Sequence, residues 1–197
     1  MRIVRARIEN FRLLRDVEVG FEQRTTLIVG RNNSGKTSIA ELFRRLLSGG
    51  SLAFRLEDFS LGCHESFWQA LQTYRADPQA ADVLGQLPSI RLVLDIGYDT
   101  DAPDLGPLGN CIIDLNDDCH EARLEFRFGP KATAPEAFFA DHLIPLEDAA
   151  DDRSRFFRNL SQRLPSAYAG TLEAVDPNDA TNRKLLATKL LTTPVRG

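Results

Sequence analysis

Residues 30–37 read Gly-Arg-Asn-Asn-Ser-Gly-Lys-Thr and match the pattern G-x-x-x-x-G-K-[ST] at every fixed position. This stretch constrains the fold more than any other in the chain. Gly30 and Gly35 let the backbone curl so that successive N–H groups point inward at an anion. A helix starting near Gly35 then adds its N-terminal partial charge to the same point. In that geometry Lys36, the candidate catalytic residue, reaches the β- and γ-phosphates of a nucleotide, and the Thr37 hydroxyl ligates Mg2+. Ser38 is placed to hydrogen-bond phosphate, while Arg31, Asn32, Asn33 and Ser34 shape the loop. The expected ligand is ATP with Mg2+. A glycine-rich turn carrying a chance lysine would give the same letters, so the flanking pattern decides.

Those flanks agree with a phosphate loop. Thr25 to Val29 is a short apolar run, as in a strand covered on both faces. After the loop, Ile39, Leu42, Phe43, Leu46 and Leu47 recur at helical spacing, with Glu41, Arg44 and Arg45 facing away. Earlier, Val4, Ala6 and Ile8 alternate with Arg5, Arg7 and Glu9, and Val17, Val19 and Phe21 repeat the period, predicting two strands joined through Asn10 to Asp16. Phe11 sits in that connection and is the candidate exposed residue among twelve phenylalanines otherwise read as core.

Further on, Glu65 to Tyr74 reads as a helix and Asp82 to Leu87 as a short turn. Arg91 to Tyr98 and Ala122 to Phe128 alternate as antiparallel strands, with Cys111 to Leu115 as a third between them and Asp99 to Gly109 as a loop. Glu136 to Leu143, Asp152 to Leu164 and Ala180 to Leu191 read as helices. The chain therefore divides into 1–50 (strands, phosphate loop and its helix), 51–130 (a mixed segment with an antiparallel sheet) and 131–197 (helical, without a closing element). All three belong to one α/β domain.

Bulk properties exclude several classes. No apolar run approaches the roughly 18 residues of a membrane span, and the N-terminus is not a signal peptide. Three cysteines without a C-x-x-C pair argue for a reducing, cytoplasmic setting. The net charge of −4 hides an asymmetry: up to Leu47 ten basic residues face five acidic ones, and beyond it fourteen face twenty-three. A basic N-terminal face suits a polyanion, but the solvent side of two amphipathic strands explains it as well.

Other motifs are weaker. Leu47 to Ser51 spells a stretch like the ABC signature, but one helix after Lys36 it reads better as a helix cap. Leu92 to Asp95 resembles a Walker B strand, with Asp95 as a second candidate Mg2+ residue; the following Ile96 leaves no water-polarising glutamate. Asp99-Thr100-Asp101, Asp117-Asp118 and Asp151-Asp152 read as solvated loops and helix caps. Cys63-His64 and Cys119-His120 lack zinc-ligand spacing.

With these elements in place, "IVRARIENFRLLRDVEVGF" followed by "TTLIVGRNNSGKTSI" resembles the opening of SMC, RecF and OLD-type ATPases. The form "NNSGKTSI" and the segment "LEDFS" (Leu56 to Ser60) are most similar to the OLD family. This resemblance covers about the first quarter of the chain. It implies the N-terminal lobe of an ABC-type P-loop NTPase head that forms a homodimer around ATP, DNA as the partner of the whole protein, and a Toprim nuclease with roles such as phage defence. No signature, hhhhDE Walker B, switch histidine or Toprim segment is legible here, so the resemblance implies the N-terminal part of a longer or split protein. A RecF- or SMC-like DNA-repair head and a nucleotide-sensing interaction module are the alternatives. Sequence beyond Gly197 and ATP-dependent complex formation would separate them.

Overall fold

A computed structural model of the chain describes residues 1–32, 34–47, 54–79, 83–99, 105–114, 116 and 118–189. The alternating N-terminal residues form β1 (Arg2–Phe11) and β2 (Leu14–Gly20), paired antiparallel with Ala6 opposite Val19 and Ile8 opposite Val17. Helix α1 (Lys36–Leu47) follows the phosphate loop, and α2 (Leu61–Ala76) and the short α3 (Val83–Gln86) come next. Then β3 (Ile90–Gly97), β4 (Glu121–Pro130), α4 (Ala134–Phe139), α5 (Ala149–Ala167), β5 (Tyr168–Val175) and β6 (Arg183–Lys189) complete the described elements. The strands make one sheet in the order β2-β1-β3-β4-β5-β6, and every pairing among the described residues is antiparallel.

The period-two pattern divides the sheet into two unlike faces. Ile8, Leu92, Phe126 and Leu172 lie in one cross-strand row, and Ala6, Leu94, Leu124 and Ala174 in the next. Against this apolar face pack Ile39 and Leu42 of α1, Phe67 and Leu71 of α2, Phe138 of α4, and Phe156, Leu160 and Leu164 of α5. Aromatic rings fill the space between the layers. Phe59, Phe67, Phe128, Phe138 and Tyr168 contact one another at centroid distances of 5.3–6.4 Å, and the Tyr168 hydroxyl donates to the Pro88 carbonyl at 2.8 Å. The opposite face carries Arg5, Arg7, Glu9, Arg91, Asp95, Arg123 and Glu125.

Several expectations are corrected. Thr25 to Val29 is not a strand: no strand lies beside it among the described residues, and Leu27 and Val29 are 81% and 77% exposed. An apolar run alone does not make a strand without a ladder partner for its N–H and C=O groups. Cys111 to Leu115 is not a third strand either. Gly106–Cys111 is a 3-10 helix, and the described residues from Ile112 to Asp114 are irregular. Ala180 to Leu191 is not helical where described but holds the edge strand β6, so the described part of the C-terminal segment contains a β5–β6 hairpin as well as helices. Phe11 is fully buried, its ring edge-to-face with Phe54 at 5.8 Å. The signature-like stretch after Leu47 lies outside the described residues.

Candidate functional site

The phosphate loop sits where β1–β2 and α1 meet. Gly35 has φ +90°, a conformation that glycine adopts at little cost, and its carbonyl accepts the first α1 hydrogen bond from Ile39 N–H at 3.0 Å. The N–H groups of Lys36, Thr37 and Ser38 therefore have no acceptor within the helix and open onto the loop. A cavity of about 180 Å³ lies there, lined by Asn32, Ser34, Gly35, Lys36, Thr37 and Ser38 together with Leu13 of the β1–β2 turn. Asn33 lies outside the described residues. Gly30 and Arg31 join the site through their carbonyls rather than the cavity wall.

Lys36 folds back over the loop. Its Nζ donates to the Gly30 carbonyl at 2.5 Å, the Arg31 carbonyl at 2.6 Å and the Ser34 hydroxyl at 3.2 Å. All three acceptors are neutral, and no carboxylate of the described residues forms an ion pair with it. A lysine charge left uncompensated beside free helix N–H groups is an arrangement that anion binding completes. Thr37 is exposed on the first turn and Ser38 is buried behind it. These residues fit a nucleotide's phosphate groups: Lys36 and the N–H groups of the first turn would hold the phosphate oxygens, and Thr37 would be the Mg2+ ligand.

The structure does not bring Asp95 to this loop. Asp95 lies on the charged face of the sheet, away from the layer in which α1 packs. Its carboxylate accepts from Arg123 Nε at 2.7 Å and Arg5 Nε at 2.9 Å. Burial alone would raise the Asp95 pKa, but the bonds and charges of Arg123 and Arg5 outweigh it and hold the carboxylate below its ordinary range. Its oxygens are engaged in an ion pair across three strands. Of the other acidic pairs, Asp101 and Asp117 lie outside the described residues, and Asp151-Asp152 lies in the first turn of α5. Asp152 is buried between Arg75 and Arg155, at 2.8 and 3.0 Å, and no group of three metal-ligating side chains occurs among the described residues.

The loop's neighbourhood contains a group that the sequence reading passed over. The chain reverses between β1 and β2 in two residues, Arg12 and Leu13, with Phe11 paired to Leu14. Arg12 has φ +52°, in the left-handed region where a non-glycine residue carries about 1–3 kcal/mol of strain. Asp58, 4% exposed, holds it there. The Arg12 N–H donates to the Asp58 carbonyl at 2.8 Å, and the Arg12 guanidinium meets the Asp58 carboxylate at 2.9 Å. The second carboxylate oxygen accepts from Arg45 of α1 at 2.7 Å and from the Arg55 N–H at 3.1 Å. Burial would raise the Asp58 pKa, yet the bonds from Arg45, Arg55 and Arg12 hold it below the usual carboxylate range. "LEDFS" contains this residue, but no spacing rule says that its carboxylate meets an arginine 46 positions earlier.

The family model described as an AAA ATPase domain matches residues 1–132. The chain belongs to this ATPase family. A search of the curated proteins finds no match. The matched span runs from β1 through β4 and holds the phosphate loop, Asp58 and the β1–β2 turn. The chain is thus an ATP-binding ATPase domain with an α/β fold. No helix of the described residues is long and apolar enough to cross a membrane.

Proposed function

We propose that this chain is the nucleotide-binding part of an OLD-like, DNA-acting ATPase, whose head pairs with a second copy around Mg-ATP and whose nuclease lies outside these residues. One observation carries the nucleotide part: Lys36 and the free N–H groups at the start of α1 converge on one cavity, and no carboxylate among the described residues neutralises them. The OLD assignment rests on "NNSGKTSI" and "LEDFS", and the DNA-acting role, with phage defence among its possible settings, rests on that resemblance. Lys36 and Thr37 act on the nucleotide, with Gly30, Arg31, Asn32, Asn33, Ser34, Gly35 and Ser38 forming the cradle. Asp95 has no part in it, because its carboxylate serves the sheet.

Hydrolysis by this chain alone is expected to be slow, since among the described residues no glutamate lines the loop's cavity to polarise water. The test is calorimetric titration of the purified chain with Mg-ATP beside Lys36→Ala, together with ATP turnover at saturating Mg2+. Binding should weaken at least about tenfold in the variant, in keeping with the loss of a charge-assisted phosphate contact. A folded wild-type chain that ignores Mg-ATP would refute the nucleotide reading. Brisk turnover abolished by Lys36→Ala would instead show a complete catalytic centre within these residues. For the DNA role, metal-dependent cleavage by the protein with its nuclease region is the expected result. Cleavage-free, ATP-dependent complex formation would favour a sensing module.

A further inference from the structure

Resting on the ATP-binding reading of the loop, we infer that Asp58 is a positioning residue for nucleotide binding: it locks the left-handed Arg12 turn that sets the wall of the phosphate loop. Three observations connect. The turn is strained at Arg12, at φ +52°, where glycine is the residue normally found in so short a hairpin connection. Asp58 engages that residue twice, through its own carbonyl and through its carboxylate. The residues directly after Arg12 then touch the loop. Leu13 lines the cavity beside Asn32, Ser34 and Lys36. Leu14 packs so close to Gly35 that a Cβ there would come within 2.8 Å of its Cδ2.

The clamp also reaches the far end of the phosphate-loop helix. Arg45, in the last turn of α1, shares the Asp58 carboxylate with Arg12 and lies over the Phe11 and Phe54 rings at 6.0 and 5.6 Å. On the other side, the Ser60 N–H donates to the Asn10 carbonyl at 3.0 Å, and Phe59 bridges to Phe11. One buried carboxylate therefore fixes both the turn that walls the loop and the helix that the loop begins. Were the turn free to relax, its backbone would leave the left-handed region, and Leu13 and Leu14 would no longer face Gly35. Nucleotide would then bind only to the fraction of molecules that retain the turn.

The experiment measures Mg-ATP affinity by calorimetry, well below each variant's melting temperature, for the wild-type chain, Asp58→Asn, Arg12→Ala, Arg12→Gly and the double variant Asp58→Asn/Arg12→Gly. If loss of the clamp leaves the turn about one-tenth populated, Asp58→Asn raises Kd about tenfold. Arg12→Ala should do the same, because alanine lacks the ion pair and resists the left-handed turn. Arg12→Gly, which loses the ion pair but adopts the turn freely, should bind within about twofold of wild type. It should also restore Asp58→Asn to that level. A general loss of stability would not be repaired by removing yet another side chain, so this rescue identifies positioning.

Wild-type affinity in a folded Asp58→Asn chain overturns the inference, and so does a double variant no better than Asp58→Asn alone. If Asp58→Asn does not fold, the two Arg12 variants decide: equal affinities for Arg12→Ala and Arg12→Gly overturn the inference, and a gap of about tenfold supports it. A wild-type chain that does not bind Mg-ATP overturns both this inference and the reading beneath it. Wild-type binding lost in Lys36→Ala but unchanged across the Asp58 and Arg12 variants overturns the positioning role alone.

Discussion

Gly35→Ala tests the geometry of the loop directly. Two costs can be read from the structure. An L-residue at φ +90° carries about 1–2 kcal/mol of backbone strain relative to glycine. The added Cβ would also lie 2.8 Å from Leu14 Cδ2 and 3.8 Å from Leu13 Cβ. Leu14 is itself buried, so it cannot swing freely aside, and overpacking of this kind costs about 1–3 kcal/mol. Together the costs centre at about 3.5 kcal/mol, which in a domain of this size lowers Tm by about 7–14 °C.

The two costs separate in a double variant. Leu14→Ala alone should be destabilising by about 2–5 kcal/mol as a buried truncation. In the Gly35→Ala background it should cost about 1–2 kcal/mol less, because the clash it relieves is gone. Thermal unfolding followed by circular dichroism gives all four stabilities, and calorimetry with Mg-ATP shows whether the loop still binds. A Gly35→Ala chain melting within about 2 °C of wild type would refute the argument. Strict additivity with Leu14→Ala would leave the strain and remove the clash.

Two further outcomes are expected. Asp95→Asn should lower stability by about 1–2 kcal/mol, at the modest end for charged hydrogen bonds because Arg5 is 43% exposed and screened; Mg-ATP affinity should stay within about twofold, and a changed Mg2+ dependence would return Asp95 to the site. His142 is fully buried, and burial, then Arg155 and Arg75, hold its pKa below the ordinary value against the pull of Asp152 and Asp141. The unfolded chain therefore takes up a proton near pH 6.5 that the folded chain refuses. Stability should be complete above that pH and fall below it, by at most about 1.4 kcal/mol per pH unit, until the lower folded pKa is reached. Chemical denaturation from pH 7.5 to 5.5 should show that decline in wild type and flatten it in His142→Gln.

Much of the fold was legible where a single periodicity dominates. β1, β2, β3 and β4 alternate cleanly because each has one face on the helices and the other in water, the condition under which period two appears. Helices α1, α2 and α5 carry apolar stripes for the same reason. The errors share another cause. "RKLLATK" has the composition of a helix, yet it pairs with β5 as an edge strand whose Leu185 stays exposed. No buried face imposes a pattern there, so local preference misleads. "YAGTLEAV", which forms β5, shows no clear alternation as a sequence because its glycine and alanines blur the contrast between faces. The run from Thr25 to Val29 failed differently: its residues are strand-like, but hydrogen-bonding partners make a strand, and local letters do not contain them.

The site shows the same division. The residues proposed for the phosphate loop can be named from the chain because the chemistry there is local: glycines, a lysine and a hydroxyl within eight positions. Asp58 and Asp95 show what locality leaves out. Both are buried aspartates, each 4% exposed and each held by two arginines. From the sequence Asp95 looked the more interesting, because an apolar strand precedes it as in a Walker B motif. The sheet reverses that ranking. Alternation along β3 turns Asp95 to the face away from α1, where its arginines come from neighbouring strands and lead nowhere near the loop. Asp58 ends a short 3-10 turn (Leu56–Asp58) packed on the other side, and its arginines are the hinge of the β1–β2 turn and the last turn of the phosphate-loop helix. What distinguishes a structural ion pair from one coupled to nucleotide is thus the identity of the elements it joins, and that is a property of the fold.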